Sequence, residues 1–188
     1  MSVPDHLEIS QIVAGPLETN AFIVVEPETR QAMIVDAPPD SLATIEAEVE
    51  RLQATPVVLV ITHGHWDHIG DAAAIKEQFE IPLLVHELDR PKLENPGQDG
   101  IAPAKVDRVI GEGDVVELGE LRFQVMHTPG HARGQVSLYE EEQSIMLGGD
   151  TLFPGGYGRV DIPDASAEET VATIRRLLEL PDSVTVLP

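Results

Sequence analysis

The most apolar run in the chain is Val57-Val58-Leu59-Val60-Ile61. A β-branched run without alternation reads as a strand buried on both faces. Shorter patterned runs precede it. Leu7, Ile9 and Ile12 alternate with polar positions and predict a first strand over 7–13, turned by Gly15-Pro16. Apolar segments at 20–25 and 31–36 predict a second and a third strand, with the hairpin loop at 27–30 between them. Asp36 ends the third strand, just ahead of Ala37-Pro38-Pro39. From Ser41 the period lengthens to three and four. Leu42, Ile45, Val49 and Leu52 form the stripe of an amphipathic helix. A second helix is expected from about Asp71 through Ile75 and Phe79, and a short strand over 81–85.

Pro91, Pro96-Gly97, Gly100 and Pro103 interrupt the next stretch, 87–105. Its length and irregularity predict either a flap over a site or a plain surface connection. The second half is rich in strand patterns. Runs at 114–118 and 121–126 flank the tight Gly119-Glu120 hairpin, and runs at 135–139 and 144–147 flank a second hairpin. A last helix is expected from Ser166, with Glu169 three residues on as a capping box and Val171, Ile174, Leu177 and Leu178 as its apolar face. A final strand covers 184–187. Both halves run strands first and a helix afterwards, which suggests an internal duplication. No boundary divides the chain, so one domain over 1–188 is expected: an α/β protein whose two sheets pack as a sandwich with helices outside.

Chemistry enters directly after the buried run. Thr62-His63-Gly64-His65-Trp66-Asp67-His68-Ile69-Gly70 gathers three imidazoles and a carboxylate in the loop at the strand's end. Such groups are ligands for zinc, iron or manganese. Two further strand ends carry similar groups. His127-Thr128-Pro129-Gly130-His131 follows one, and Gly148-Gly149-Asp150 follows another. If these strands share an edge, His131 and Asp150 converge on the cluster, giving six candidate ligands, enough for two metals. His127, His86 and His6 read as surface or supporting residues.

Composition narrows the options. The chain has 188 residues, no cysteine and a hydrophobic share of 42%. A core is affordable without disulfides, and any metal must be held by nitrogen and oxygen. The net charge of −21 repels phosphate backbones, so a nucleic-acid partner is not expected and a small-molecule substrate is. The N-terminus lacks a basic and an apolar region, and no run approaches the ~20 apolar residues of a membrane span. A cytoplasmic protein with no membrane partner is the expectation.

The motifs His63-Gly-His65-Trp-Asp67-His68, Thr128-Pro-Gly-His131, Gly149-Asp150-Thr-Leu-Phe153 and Gly158-Arg159-Val-Asp161 resemble the metallo-β-lactamase superfamily, and more narrowly its glyoxalase II-like (hydroxyacylglutathione hydrolase-like) members. The resemblance implies an αββα four-layer sandwich and two divalent metals, zinc first, with iron or manganese as alternatives. It implies that His63, His65 and His131 hold one metal, that Asp67 and His68 hold the other, and that Asp150 bridges them. It places Arg159, with Tyr157, beside a substrate channel; a structural salt bridge between Arg159 and Asp161 is the competing role. Relatives carry a further His in a Pro-Gly-His motif after the last strand, where this chain ends at Pro188, so the second site is expected to be incomplete. The helical domain that recognises glutathione in full-length glyoxalase II is also missing from this sequence.

The function expected on these grounds is hydrolysis of a thioester or related acyl substrate by metal-activated hydroxide, with Asp67 orienting the nucleophile and receiving its proton. Two other readings stand beside it. One is a mononuclear iron persulfide dioxygenase using His63, His131 and Asp150. The other is a non-catalytic or truncated metal-binding scaffold.

Overall fold

The computed structural model describes residues 7–97 and 99–188. Strands β1 (Glu8–Ala14), β2 (Thr19–Val25) and β3 (Gln31–Val35) form an antiparallel meander, as the alternation of the first third predicts. Helix α1 (Leu42–Leu52) then crosses over, and β4 (Thr55–Val60) returns parallel to β3. The short turn of helix α2 (Trp66–Ile69) and helix α3 (Ala72–Phe79) lead to β5 (Leu83–His86). Another short helix, α4 (Arg90–Glu94), leads to β6 (Arg108–Ile110), and both strands continue the sheet in parallel.

The second sheet begins with the meander β7 (Val115–Leu118), β8 (Leu121–His127), β9 (Val136–Glu140) and β10 (Ile145–Leu147). A 3-10 turn over Gly149–Thr151 and a small hairpin, β11 (Leu152–Phe153) and β12 (Gly156–Tyr157), follow. Helix α5 (Ala167–Leu177) crosses over to β13 (Thr185–Leu187), which pairs parallel to β10. The first sheet is thus a meander extended by three parallel strands through helical crossovers, and the second a meander closed by one helical crossover to a parallel strand.

Side-chain alternation sorts the strands into layers. Phe22, Val24, Met33, Val35, Val58 and Val60 point from the first sheet into a shared core with Val116, Phe123, Val125, Val136 and Leu138 of the second. Their neighbours Ala21, Ile23, Ile34, Leu59 and Leu83 point the other way, against Ile45 and Val49 of α1 and Ile75 of α3. Met126, Tyr139 and Met146 on the outer face of the second sheet meet Leu177 of α5. The order is helix, sheet, sheet, helix, the expected αββα sandwich. The double-sided burial explains why 57–61 carries no polar position.

Three local expectations are corrected. The His cluster does not lie wholly in a loop: His63 and His65 do, whereas Asp67 and His68 sit on α2. Among the described residues, the stretch 87–105 is not a flap, because α4 packs down through buried Leu93, with Ala104 and Val106 buried after it. The apolar face of α5 is not the one expected. Thr170, Thr173 and Leu177 are buried, Ile174 is half-buried, and Val171 and Leu178 are exposed. Polar anchors set that rotation. Ser166 N donates to Gly130 O (2.7 Å) and Thr173 Oγ1 to Pro129 O (2.6 Å), so the helix turns its threonines toward the 129–130 turn. Ser166 caps α5 by accepting from Glu169 N, as expected, but its own N–H is spent on Gly130 instead of on Glu169.

Candidate metal centre

Three strand ends build the site. β4 of the first sheet delivers the stretch from Thr62 to His68. β8 and β10 of the second sheet both run antiparallel to β9, so they point the same way and deliver His131 and Asp150 to one edge. Val136 N donates to Thr62 O (2.9 Å) and ties the two sheets together beside the cluster. The His63 ring centroid lies 4.6 Å from that of His65, 4.1 Å from that of His68 and 5.0 Å from that of His131. One ligand atom each from His63, His65 and His131 fall within 4.8 Å of one another, and so do atoms of His63, His68 and Asp150. Asp67 completes the group, its Oδ2 lying 3.6 Å from His68 Nε2. All six sequence candidates are therefore in one place.

Hydrogen bonds to the outer ring nitrogens fix which nitrogen faces inward. Asp36 Oδ2 accepts from Thr62 Oγ1 (2.8 Å), so the Thr62 oxygen accepts in turn from His63 Nδ1 (3.1 Å), leaving Nε2 bare. That Nε2 is buried and has no hydrogen-bond partner among the described residues. His131 Nδ1 donates to Arg159 O (3.0 Å), so its Nε2 is also bare; it lies 2.8 Å from His65 Nδ1 and 3.3 Å from Asp150 Oδ2. His68 Nδ1 donates to Asp36 Oδ2 (2.8 Å), and its Nε2 lies 3.2 Å from Asp150 Oδ1. Converging imidazole lone pairs around an orphaned buried nitrogen fit a divalent cation, and the all-nitrogen-and-oxygen donor set suits zinc, iron or manganese.

Charges follow the same logic. Burial first, and then the neighbouring imidazoles, push His63 well below its usual value and His65 down to about 4. Both are neutral, as ligands must be. Burial also opposes the His68 cation, but Asp36 and Asp150 outweigh it and raise His68 to about 10. For Asp150, burial favours the acid and the facing imidazoles overcome it, holding the carboxylate below its usual range.

Backbone geometry explains the glycines around the site. Gly130 sits at φ +147°, and a Cβ there would meet Thr170 Oγ1 at 2.3 Å. A Cβ on Gly158 would lie 2.0 Å from Asp150 O and 2.9 Å from His131 Cβ. The Gly158-Arg159 pair therefore passes directly behind two candidate ligands, and the Arg159 carbonyl orients His131. Its side chain takes the competing role: Nε and Nη2 bind Asp161 at 2.9 and 3.0 Å, with the fork still lining the cavity at the site's mouth. Tyr157 lines that cavity too and is exposed.

Sequence reasoning passed over several supports. Asp36 holds Thr62 and His68. Thr19 Oγ1 donates to Asp67 Oδ2 (2.9 Å) and fixes that carboxylate. Asp89, fully buried, accepts from Gly64 N (2.9 Å) in the middle of the His63–His65 loop and pairs with Lys92 Nζ at 2.8 Å. A signal was present only for Asp36, an acid closing an apolar strand. His86 and His127 stack on each other with centroids 4.4 Å apart and stay outside the cluster, as expected.

Comparison with known proteins identifies the family and the fold. The metallo-beta-lactamase superfamily model matches residues 14–188. A hydroxyacylglutathione hydrolase of Haemophilus influenzae is 30% identical, over 97% of this chain and 89% of its own. The crystal structure of the B3 metallo-beta-lactamase BLEG-1 superposes with a TM-score of 0.85 at 32% identity, covering 95% of this chain and 90% of that one. A protein solved in a di-iron-bound form superposes at 0.82 with 34% identity, covering 95% and 90%.

Proposed function

The chain belongs to the metallo-beta-lactamase superfamily of metal-dependent hydrolases, and from that premise we propose that it hydrolyses a thioester or related acyl substrate using two divalent cations, zinc first. The observation that carries this reading is the orphaned, buried His63 Nε2 beside the nitrogens of His65 and His131, which face each other at 2.8 Å. His63, His65 and His131 would hold one cation, and Asp67 and His68 the other, with Asp150 shared. When bound, the pair supplies Lewis acidity and brings the pKa of a water toward ~7.

The chain's own groups do the rest. Thr19 fixes one Asp67 oxygen, and Asp67 orients the attacking water and takes up its proton. Asp36 orients His63, through Thr62, and His68 directly, so that the Nε2 atom of each ring faces inward. A thiol leaves readily because its pKa is near ~8.5, so the site needs no strong acid beside the leaving group. A hydroxyacylglutathione hydrolase among the relatives supports an acyl substrate without naming the one used here. A single-iron dioxygenase built on His63, His131 and Asp150 would leave His68 without a role, although it is buried, oriented by Asp36 and aimed at Asp67 and Asp150.

Elemental analysis of the purified protein, followed by turnover of acyl thioesters, tests the proposal. About two divalent metals per chain and hydrolysis abolished by a chelator are expected. About one iron per chain, with oxygen uptake on adding a persulfide, would replace the hydrolase with the dioxygenase. Full metal loading without acyl hydrolysis would reject the reaction.

A further inference from the structure

The cavity at the mouth of the cluster has a volume of about 610 Å³, within the range of small-molecule sites. His65, Asp67, His131 and Asp150 form its floor. Its walls are Leu17, Trp66, Phe153, Tyr157, Ile162 and Pro163. Three of these, Leu17, Phe153 and Tyr157, are among the few large apolar side chains the described surface exposes. Apolar surface left open at one place on a strongly acidic protein marks a contact surface.

Two cations reach the cavity, and both are already held. The Arg159 fork is closed on Asp161 by two hydrogen bonds. Lys92 Nζ lies between buried Asp89, at 2.8 Å, and Asp164, and Asp164 is also approached by Arg133 at 3.7 Å. Around these walls, every one of the cations Lys92, Arg133 and Arg159 already faces an acid, from among Asp89, Asp161 and Asp164. A substrate carboxylate would have to displace a carboxylate from Arg159 or Lys92, and at Lys92 it would leave buried Asp89 unpaired beside the newcomer. An uncharged apolar group meets no such opposition, and covering Phe153, Tyr157 and Leu17 favours it directly.

We infer that this cavity takes an uncharged, apolar acyl thioester or ester, and discriminates against substrates that carry free carboxylates, glutathione thioesters included. The inference rests on the acyl-hydrolase reading but concerns only the walls of the site, so it can be tested without turnover. Trp66 is the chain's single tryptophan and lines the cavity, and its fluorescence reports occupancy.

Metal-loaded and metal-stripped protein would each be titrated with two unreactive thioethers of equal chain length, S-hexyl-N-acetylcysteamine and S-hexylglutathione. The neutral thioether should bind at least tenfold more tightly in both forms. The Asp161→Asn variant, which releases Arg159, should narrow that ratio by strengthening the glutathione ligand several-fold, an effect that loss of structure alone would not produce. Equal binding, tighter S-hexylglutathione, no binding of either, or an unchanged ratio in Asp161→Asn would overturn the inference. Tight neutral binding without thioester turnover leaves the inference standing and sinks the hydrolase. Turnover with a preference for the glutathione thioester does the reverse.

Discussion

Replacing Asp36 by Asn removes a charge and almost no volume, yet it should disturb both halves of the metal centre. Asp36 Oδ1 accepts from Thr62 N (2.7 Å), and Oδ2 accepts from Thr62 Oγ1 and from His68 Nδ1 (2.8 Å each). Every partner is a donor, so either orientation of an amide sets its NH2 against one of them. With the amide oxygen kept on Thr62 N, the NH2 faces Thr62 Oγ1 and His68 Nδ1. His68 Nδ1 then loses its acceptor, and the ring proton that remains sits on Nε2, inside the site. Thr62 must turn its hydroxyl away from position 36 toward His63 Nδ1, which pushes the His63 proton onto the orphaned Nε2 as well. One substitution thus leaves a ring proton facing inward in each donor group.

The size of the effect follows from those contacts. Hydrogen bonds to a charged group are worth about 1.5–3 kcal/mol each, and the two lost here share one acceptor, so the metal-free fold should lose about 2–4 kcal/mol. Asn tolerates the left-handed backbone at this position (φ +64°), so no strain is added. Loss of an orienting partner typically lowers metal affinity by about 10–100-fold. Chelator competition measures the affinity, and guanidinium unfolding of stripped protein measures the stability. Metal binding within twofold of wild type would refute the tautomer argument, whatever happened to the stability.

Other perturbations give further checks. Gly130→Ala places a Cβ against the backbone and hydroxyl of Thr170 at a φ that side chains avoid, and should cost about 2–4 kcal/mol in urea unfolding while displacing His131; an unchanged midpoint contradicts the contact. Asp89→Ala strips Gly64 N and Lys92 of a buried acceptor and should destabilise by about 3–5 kcal/mol, visible as a lowered urea midpoint with the slope retained; a surface-like change under 0.5 kcal/mol would exclude a buttressing role. Burial, and then His131, depress His65 from 6.5 to about 4, so its neutral form supports the metal-free fold fully above pH 6.5, and that support drains away as pH falls toward 4. Stripped wild type should therefore lose stability relative to His65→Asn across that window, and a pH-independent difference would count against the burial of that ring.

The candidate donor set was legible because four of its members are close in sequence and all six follow strand ends, where loops emerge at one edge. Its supports were not. Asp36 and Asp89 are two of 33 acids in a chain whose acids mostly meet solvent, and only Asp36, closing an apolar strand, has a local pattern that hints at burial. The face of α5 was misjudged for a related reason. Counting apolar residues favours Val171 and Leu178, but the helix is docked by Thr173 and the Ser166 N–H on carbonyls of the 129–130 turn, and a hydroxyl bonded to a distant carbonyl has no signature in hydropathy. Gly158-Arg159 shows the same limit. The motif pointed to the right place, yet its largest contribution to the cluster is a missing Cβ and a backbone carbonyl behind His131, neither of which a reading of side chains reveals.

Thr62 shows why fold and site are one problem in this protein. Its carbonyl accepts from Val136 N and joins the sheets, while its amide and hydroxyl donate to Asp36 at the end of the neighbouring strand. Its oxygen holds His63, and its side chain packs so closely under Gly149 that a Cβ there would meet Thr62 Oγ1 at 2.7 Å. Gly149 in turn precedes Asp150. A shift of one sheet against the other therefore moves His63 and Asp150 relative to each other through a single residue. The apolar core between the sheets, with Phe123 and Met33 fully buried in it, sets the spacing of the donor atoms although it touches none of them. Interiors this closely packed resist such shifts, and that resistance keeps an orphaned, costly nitrogen aimed at the position a cation would take.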